Sequence, residues 1–215
     1  MYSKTFCSVI QGIEGRIIEI EADISDGLPG FSLVGYLSSE VKEARERVRI
    51  ALKNTGFRFP PKKVTVNLSP ADIRKDGTGY DLAIAISILV AYGCILEEHI
   101  QSVLFLGELT LEGEVRPVQG VLPMVYTAKE HGLQYCILPQ ENVAEAQLVD
   151  GIGVIGVASL RQVVELLGKP PAVAESPNVQ EISTAVQKNE TPDFCNVRGQ
   201  AAVRRAVEVA VTGMH

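Results

Sequence analysis

The sequence lacks most of the residue patterns from which catalytic and metal sites are built. It contains no tryptophan, three histidines and four cysteines, and the cysteines form no CxxC pair. This spacing excludes a zinc-finger site and gives no sign of a disulfide framework, so we expect the cysteines to be buried thiols. Neither the G-x-S-x-G motif of hydrolases nor the H-E-x-x-H motif of metalloproteases occurs in the chain. The histidines, which stand alone, are interpreted as surface residues.

Long apolar segments are also missing. No stretch reaches the roughly 18 apolar residues that a membrane-spanning helix needs. Residues 1–12 have neither the apolar run nor the cleavage site of a secretory signal. These absences predict a soluble cytoplasmic protein without membrane contact. With 215 residues and 46% hydrophobic content, the chain can nevertheless bury a core and form one domain with an appendage.

Charge is distributed unevenly along the chain, although the net charge is only -6. Residues 42–75 contain ten Lys and Arg against three acids, whereas residues 97–165 contain three basic residues against ten acids. The first segment therefore carries +7 and the second -7. This asymmetry suits head-to-tail docking of copies or one-sided contact with a polyanion. Two solvated faces would give the same counts, and the sequence alone leaves both interpretations open.

Alternating strand and helix patterns predict an α/β fold. Residues 18–24 and 64–68 alternate apolar and polar side chains, as half-buried strands do. Residues 38–55 have apolar side chains at helical spacing after an N-capping serine. Residues 81–92 are apolar on nearly all sides, which indicates a central buried helix. Further strands are predicted at 103–106 and 135–138, with helices at 120–131, 140–149 and 159–167.

Two glycine-containing segments look like nucleotide-binding motifs, but their context argues against that function. Residues 151–156, GIGVIG, match G-x-G-x-x-G. That motif needs a strand before its first glycine, whereas the preceding residues predict a helix. We therefore interpret residues 152–157 as a glycine-containing strand. Residues 168–170, GKP, lack the preceding glycine and the following Ser or Thr of a phosphate-binding loop.

The composition changes after Gly168. Residues 169–192 are rich in Pro, Ser, Asn and charge, which is typical of a linker. Beyond them, apolar residues recur at helical spacing and predict a short helix that begins near Gly199. The sequence therefore predicts a main domain at 1–168, a linker at 169–192 and a helical segment at 193–215.

Two sets of residues are candidates for contact with an anion. The loop before the buried helix, with Lys75, Gly77, Thr78 and Gly79, has glycines and helix N-terminal amides that could cradle an anion, or it is simply a tight, capped connection. The second set is a basic row, which could follow nucleic-acid phosphates or form a salt-bridged, solvated face. No interleaved aromatic platform is recognised beside it. The basic row consists of Lys42, Arg45, Arg49, Lys53, Arg58, Lys62 and Lys63.

The order of motifs in residues 64–139 resembles that of Lon protease domains. KDG at 75–77 precedes the buried helix, GELTLEGEVRPVQG at 107–120 follows it, and YCILP comes at 135–139. The resemblance implies a Lon-protease-like fold of the ribosomal-protein second-domain type, a mixed sheet with packed helices. It also implies that the catalytic serine and lysine belong at positions 79 and 122, which hold Gly79 and Leu122. Since glycine has no nucleophile and leucine accepts no proton, an active Ser/Lys peptidase is the least favoured interpretation.

Longer segments resemble the bacterial Mg-chelatase-like AAA+ proteins of the ComM/YifB family. They are residues 28–35, 41–86 and 197–215. The resemblance implies an N-terminal fragment that ends with the first helix of a truncated AAA+ ATPase domain. Val197, Gly199 and Gln200 would then lie at the rim of a nucleotide pocket in the full-length parent. No cofactor is expected for the fragment, whereas ATP and Mg are expected for the parent.

The same resemblance implies a function for the main domain. The domain would be noncatalytic and would support assembly of the parent protein into a hexameric ring. The parent would use ATP to drive DNA recombination or branch migration in competence. The expected partners are further copies of the protein and DNA. The alternative is a nucleic-acid-binding module that acts through residues 42–63.

Overall fold

A computed structural model of the chain describes residues 1–57 and 59–168. The predicted linker and final helix, with Val197, Gly199 and Gln200, lie outside the described residues, as does Arg58.

Nine strands and five α-helices make up the described part of the chain. The strands are β1 (Tyr2–Gln11), β2 (Glu14–Ser25), β3 (Gly30–Val34), β4 (Lys63–Ser69), β5 (Val103–Phe105), β6 (Glu108–Leu109), β7 (Val115–Arg116), β8 (Tyr135–Pro139) and β9 (Gly153–Val157). The helices are α1 (Ser39–Asn54), α2 (Asp81–Ala91), α3 (Val121–Glu130), α4 (Val143–Ala146) and α5 (Leu160–Leu167).

Seven of the strands form one mixed sheet. Their order is β3-β4-β2-β1-β5-β8-β9, and β6 and β7 pair separately as a two-stranded ribbon. Strand β2 is antiparallel to both β1 and β4, whereas the other four neighbouring pairs in the large sheet are parallel. The predicted α/β class with a mixed sheet is confirmed.

Helix α2 occupies the centre of the core, and every one of its residues is buried. It covers one face of β1 and β2, where small polar side chains bond to its carbonyl groups. Ser3 donates to the Ser87 carbonyl at 2.6 Å, and Thr5 donates to the Ala83 carbonyl at 3.2 Å. These bonds satisfy hydroxyl groups whose burial would otherwise be costly. The sequence prediction of a central buried helix is therefore confirmed.

The structure departs from the predicted elements in several places, and the short strands β3, β6 and β7 were not predicted. Strand β1 was not predicted, yet it pairs with β2 over its whole length. The helix predicted at 140–149 is much shorter, because a 3-10 turn at Gln140–Asn142 precedes the four-residue α4. The glycine-containing strand is confirmed as β9. A β-carbon at Gly153 would lie 2.5 Å from the Tyr135 ring, so this glycine allows β9 to pack on β8.

The cysteines only partly follow the prediction that they are buried. Cys7 and Cys136 are buried, but Cys94 is exposed just beyond α2, so the prediction is wrong for Cys94. Cys195 lies outside the described residues. Among the helices that the structure describes, none combines the length and the apolar character needed to cross a bilayer.

Alkylation should modify Cys94 well before Cys7 and Cys136. Burial raises the pKa of each of the two core thiols to about 12, and the thiolate is the reactive form. Partial burial also raises the pKa of Cys94, but its side chain is accessible. Timed iodoacetamide labelling, followed by peptide mass spectrometry, measures the order in which the thiols react. Labelling in urea, where all thiols are exposed, is the control. Equal rates for the three thiols in native buffer would contradict this packing.

Candidate functional site

Helix α1 presents one face to the core and the opposite face to solvent. Its first turn is capped by Ser38, whose hydroxyl accepts a hydrogen bond from the Val41 amide at 3.4 Å. The apolar stripe predicted from the sequence is buried against the core. The helix therefore has one fixed orientation, which determines where its charged residues lie.

A buried ion pair joins α1 to the start of α2. Asp81 is completely buried and accepts hydrogen bonds from Arg47 Nε at 2.7 Å and from Arg47 Nη2 at 3.1 Å. It also accepts the Leu109 amide at 3.2 Å. Burial raises the pKa of the Asp81 carboxyl, and its bonds to Arg47 and Leu109 oppose that shift. Sequence reasoning missed this pair, although an acid at the first position of an apolar helix was an available signal.

The predicted anion-binding loop is tied to the fold through its side chains. Lys75 is completely buried, and its ammonium donates to the Pro70 carbonyl. Burial lowers the pKa of Lys75. Thr78 donates its hydroxyl to the carboxylate of Glu108. Burial removes Lys75 from the surface that the prediction required, and Glu108 places a negative charge beside the loop.

The positions that correspond to a Lon dyad lie on adjoining segments. A β-carbon at Gly79 would be 3.3 Å from a methyl group of Val118, in the turn before α3. That turn is fixed by Asn142, whose side chain bonds to both the amide and the carbonyl of Val118 at 2.9 Å. Leu122 lies in the first turn of α3, with 38% of its surface exposed. The two segments meet, but positions 79 and 122 offer neither a nucleophile nor a base.

Four members of the basic row lie on α1 and are exposed, and the row is partly neutralised by acids. The four are Lys42, Arg45, Arg49 and Lys53. Glu46 lies 3.3 Å from Arg45 and 2.8 Å from Arg49. Lys62, in the following connection, pairs with Asp26 at 2.8 Å. Exposed pairs of this kind are weak, so they leave these cations available to a polyanion. Three members of the row form no ion pair with any residue that the structure describes: Lys42, Lys53 and Lys63.

An open cleft of about 660 Å³ lies at the C-terminal end of α1. Contrary to the expectation from sequence, aromatic side chains stand beside the basic ones. The aromatic residues at 57 and 59 alternate with a basic residue in the sequence, which was an available signal. Tyr92 could not be found in this way, because it follows α2. The cleft is lined by Arg49, Ile50, Lys53, Gly56, Phe57, Phe59, Pro61 and Tyr92.

Comparison with known proteins identifies the family. Residues 20–142, more than half of the chain, match the family model described as subunit ChlI of Mg-chelatase. The chain belongs to the ChlI family.

Relatives of this ChlI-family chain include the proteins expected from its sequence. It is 43% identical to an uncharacterized protein of Mycobacterium tuberculosis over 99% of the chain and 41% of that protein. Competence protein ComM of Haemophilus influenzae is 37% identical over 95% of the chain and 40% of ComM. YifB of Escherichia coli is 35% identical over 95% of the chain and 39% of YifB. The chain thus spans about two fifths of the length of these relatives.

A more distant similarity links this ChlI-family chain to proteases. Lon protease 2 of Bacillus subtilis is 29% identical over 73% of the chain and 31% of the protease. The predicted ComM/YifB and Lon resemblances are therefore both confirmed.

The ion pair of Arg47 and Asp81 should contribute strongly to stability. Arg47→Met should lower the free energy of unfolding by about 3–5 kcal/mol, because it leaves the buried carboxylate of Asp81 without its cation. Asp81→Ala should cost less, because Arg47 is partly exposed and keeps its hydrogen bond to the Glu40 carbonyl. The double variant should lower the free energy of unfolding by less than the sum of the two single effects. Urea unfolding followed by circular dichroism measures all three.

Glu46→Gln is the matched control for this cycle. Glu46 pairs with Arg45 and Arg49 on the surface, so its loss should cost less than about 1 kcal/mol. An effect of Arg47→Met as small as that of Glu46→Gln would contradict the structural role of the buried pair.

Proposed function

We propose that this chain is a noncatalytic domain of a Mg-chelatase-like AAA+ ATPase and that it arranges subunits in a ring. The observation that carries the proposal is the assembled framework around Gly79, Val118 and Leu122. The segments of a Lon-like site are folded against one another, yet the two dyad positions have no group for peptide hydrolysis. A domain with this framework and without this chemistry is suited to holding other parts of an assembly.

The placement of charge supports docking between copies. Helix α1, with the basic row, packs beside β3 at one edge of the sheet, and α4 packs beside β9 at the other edge. Exposed acids Glu141 and Asp150 flank α4. Complementary charges at opposite edges favour a head-to-tail contact between copies. Such contacts generate a ring when the rotation that relates neighbouring copies brings the last copy back to the first. Two further acids, Glu112 and Glu114, lie instead near the C-terminal end of α1, where Asn54 donates to the Leu111 carbonyl.

The proposal assigns ATP and Mg²⁺ to the ATPase part of a full-length protein. The competence role comes from ComM, whose name describes a competence protein. We extend that role to DNA processing, by recombination or branch migration, in a hexameric assembly. In this assembly the present domain sets the spacing of subunits while the ATPase part does the mechanical work.

The full-length protein should form a ring in the presence of ATP, measured as its mass by light scattering after gel filtration. The double variant Lys42→Glu, Arg45→Glu should shift the mass towards monomer, because it reverses charge on one docking edge. Adding Glu141→Lys and Asp150→Lys should restore assembly by exchanging the two signs. Glu98→Lys, a charge change at an exposed site, is the control. A full-length protein that stays strictly monomeric with ATP would refute the ring proposal.

The chain should not hydrolyse fluorescently labelled casein. Gly79→Ser should also be inactive, since Leu122 still provides no base. The serine is compatible with the local backbone, because the φ angle of Gly79 lies outside the left-handed region, and Val118 must move only by a few tenths of an ångström. Release of labelled peptides by the purified wild-type chain would contradict the noncatalytic assignment.

A further inference from the structure

We propose that the cleft beside α1 binds single-stranded nucleic acid, with phosphates on Arg49 and Lys53 and a base against the aromatic wall. This site is separate from the segments around Gly79 and Leu122, and the inference does not depend on ring assembly. The cleft in question is the one formed by the last turns of α1, by residues 56, 57, 59 and 61 after that helix, and by Tyr92.

The size of the cleft suits a nucleotide. Its volume, about 660 Å³, lies within the range of about 300–1,000 Å³ that is typical of small-molecule sites. The cleft is open to solvent and not enclosed, so a polymer can enter it without being threaded. A single nucleotide unit can therefore occupy the cleft while the rest of the strand continues over the surface.

The walls combine the two kinds of group that recognise an unpaired strand. Phe57, Phe59 and Tyr92 are each half-buried and line the cleft. Arg49 and Lys53 are exposed at the rim. Among the described residues that line the cleft, none is acidic. Aromatic rings stack on any base and cations follow the phosphates, so binding would be independent of sequence.

The aromatic wall is held in place before any ligand arrives. The Phe59 ring packs on Phe31, with centroids 5.2 Å apart. The Phe57 amide donates to the Leu52 carbonyl at 2.9 Å. Arg161, from α5, donates to the Thr55 carbonyl at 3.2 Å. Because the connection after α1 is anchored by these contacts, little ordering is needed when a base enters.

The basic row extends the cleft along the helix. Lys42, Arg45, Arg49 and Lys53 are spaced by three or four residues and are exposed, so they form a line on one flank of α1. From Lys42 to Lys53 this line spans about 16 Å, at roughly 1.5 Å per residue. A strand whose base enters the cleft can therefore place neighbouring phosphates on Arg49 and Lys53, and the contact between copies proposed above uses Lys42 and Arg45 at the other end of the line.

The aromatic wall favours a single strand over the other polyanions that the basic row could meet. A duplex hides the faces of its bases by stacking, so it would contact the cations and leave the aromatic wall empty. An acidic surface of a second copy would likewise leave the rings unused. These two occupants are outcomes that the experiment separates from the proposed one.

The test uses the 215-residue chain and a fluorescein-labelled 15-mer of deoxythymidine, with binding measured by anisotropy over a series of salt concentrations. Phe59→Leu and Tyr92→Leu keep an apolar side chain and should each weaken binding about fivefold or more, the lower end of the contribution of one stacked base. Arg49→Gln with Lys53→Gln should reduce the slope of log affinity against log salt by about 1.4, since each phosphate contact contributes about 0.7. Lys129→Gln, on α3, is the matched control and should change neither quantity.

The result that would overturn the proposal is equally specific. Absence of binding at 50 mM salt, equal affinity for a 15-base-pair duplex, or unchanged affinity of both leucine variants would each refute it. A change in the mass of the protein without DNA in the Arg49, Lys53 double variant would assign the cleft to a subunit contact instead. A failure of ring assembly, which is measured without DNA, leaves these results unaffected.

Photochemical cross-linking tests the site in the wild-type chain, without relying on folded variants. A 15-mer with 4-thiothymidine should cross-link to Phe57, Phe59 or Tyr92, identified by mass spectrometry of the digested adduct. Excess unlabelled strand should prevent the adduct. Cross-links confined to other parts of the chain would place the strand elsewhere and refute the proposal.

Discussion

The burial of one carboxylate holds α1, α2 and β6 together. Asp81 begins a helix that is buried on all sides, so its oxygens must be bonded within the protein. Arg47 from α1 and the Leu109 amide from β6 supply those bonds. The requirement to satisfy one acid thus brings three elements together. It also assigns opposite roles to the cations of one helix, because Arg47 is turned inward while Arg45 and Arg49, two residues away on either side, face solvent.

The same arrangement creates the cleft. Beyond the ion pair, α1 continues to Lys53 and α2 continues to Tyr92, and both residues line the cleft. Helix α2 has no exposed flank, so Tyr92, immediately beyond its last residue, is where that segment first becomes accessible. Gly56 has a φ of +93°, a conformation that favours glycine, and it turns the chain so that Phe57 can line the same cleft. An aromatic and basic surface therefore arises from helix ends that the core has already fixed.

The sequence predicts the elements whose pattern is complete within one segment. Helix α2 is recognisable because nearly all its residues are apolar before Gly93, and β2 because acids alternate with buried Ile18 and Ile20. Strand β1 is not recognisable, because Ser3 and Thr5 are buried polar residues whose partners are carbonyls of α2. The cations of α1 could likewise be identified, because their spacing is visible within one segment. Lys75 was expected at the surface, because nothing in its own segment shows that it is buried. Its bond to Pro70 depends on how the chain folds back between β4 and α2, and the cleft depends on Tyr92, which lies on another element.

The absence of a serine at position 79 and of a lysine at position 122 is compatible with the fold because both positions contribute to it through their main-chain atoms. The carbonyl of Gly79 accepts the Gly107 amide at 3.1 Å and lies 3.6 Å from the thiol of Cys7. The amide of Leu122 donates to Glu145 at 2.9 Å. Each of these bonds forms whichever side chain stands at position 79 or 122, provided that it fits. The framework can therefore form without a serine at position 79 or a lysine at position 122, because these two positions make their bonds through main-chain atoms and not through the side chains that would cut a peptide.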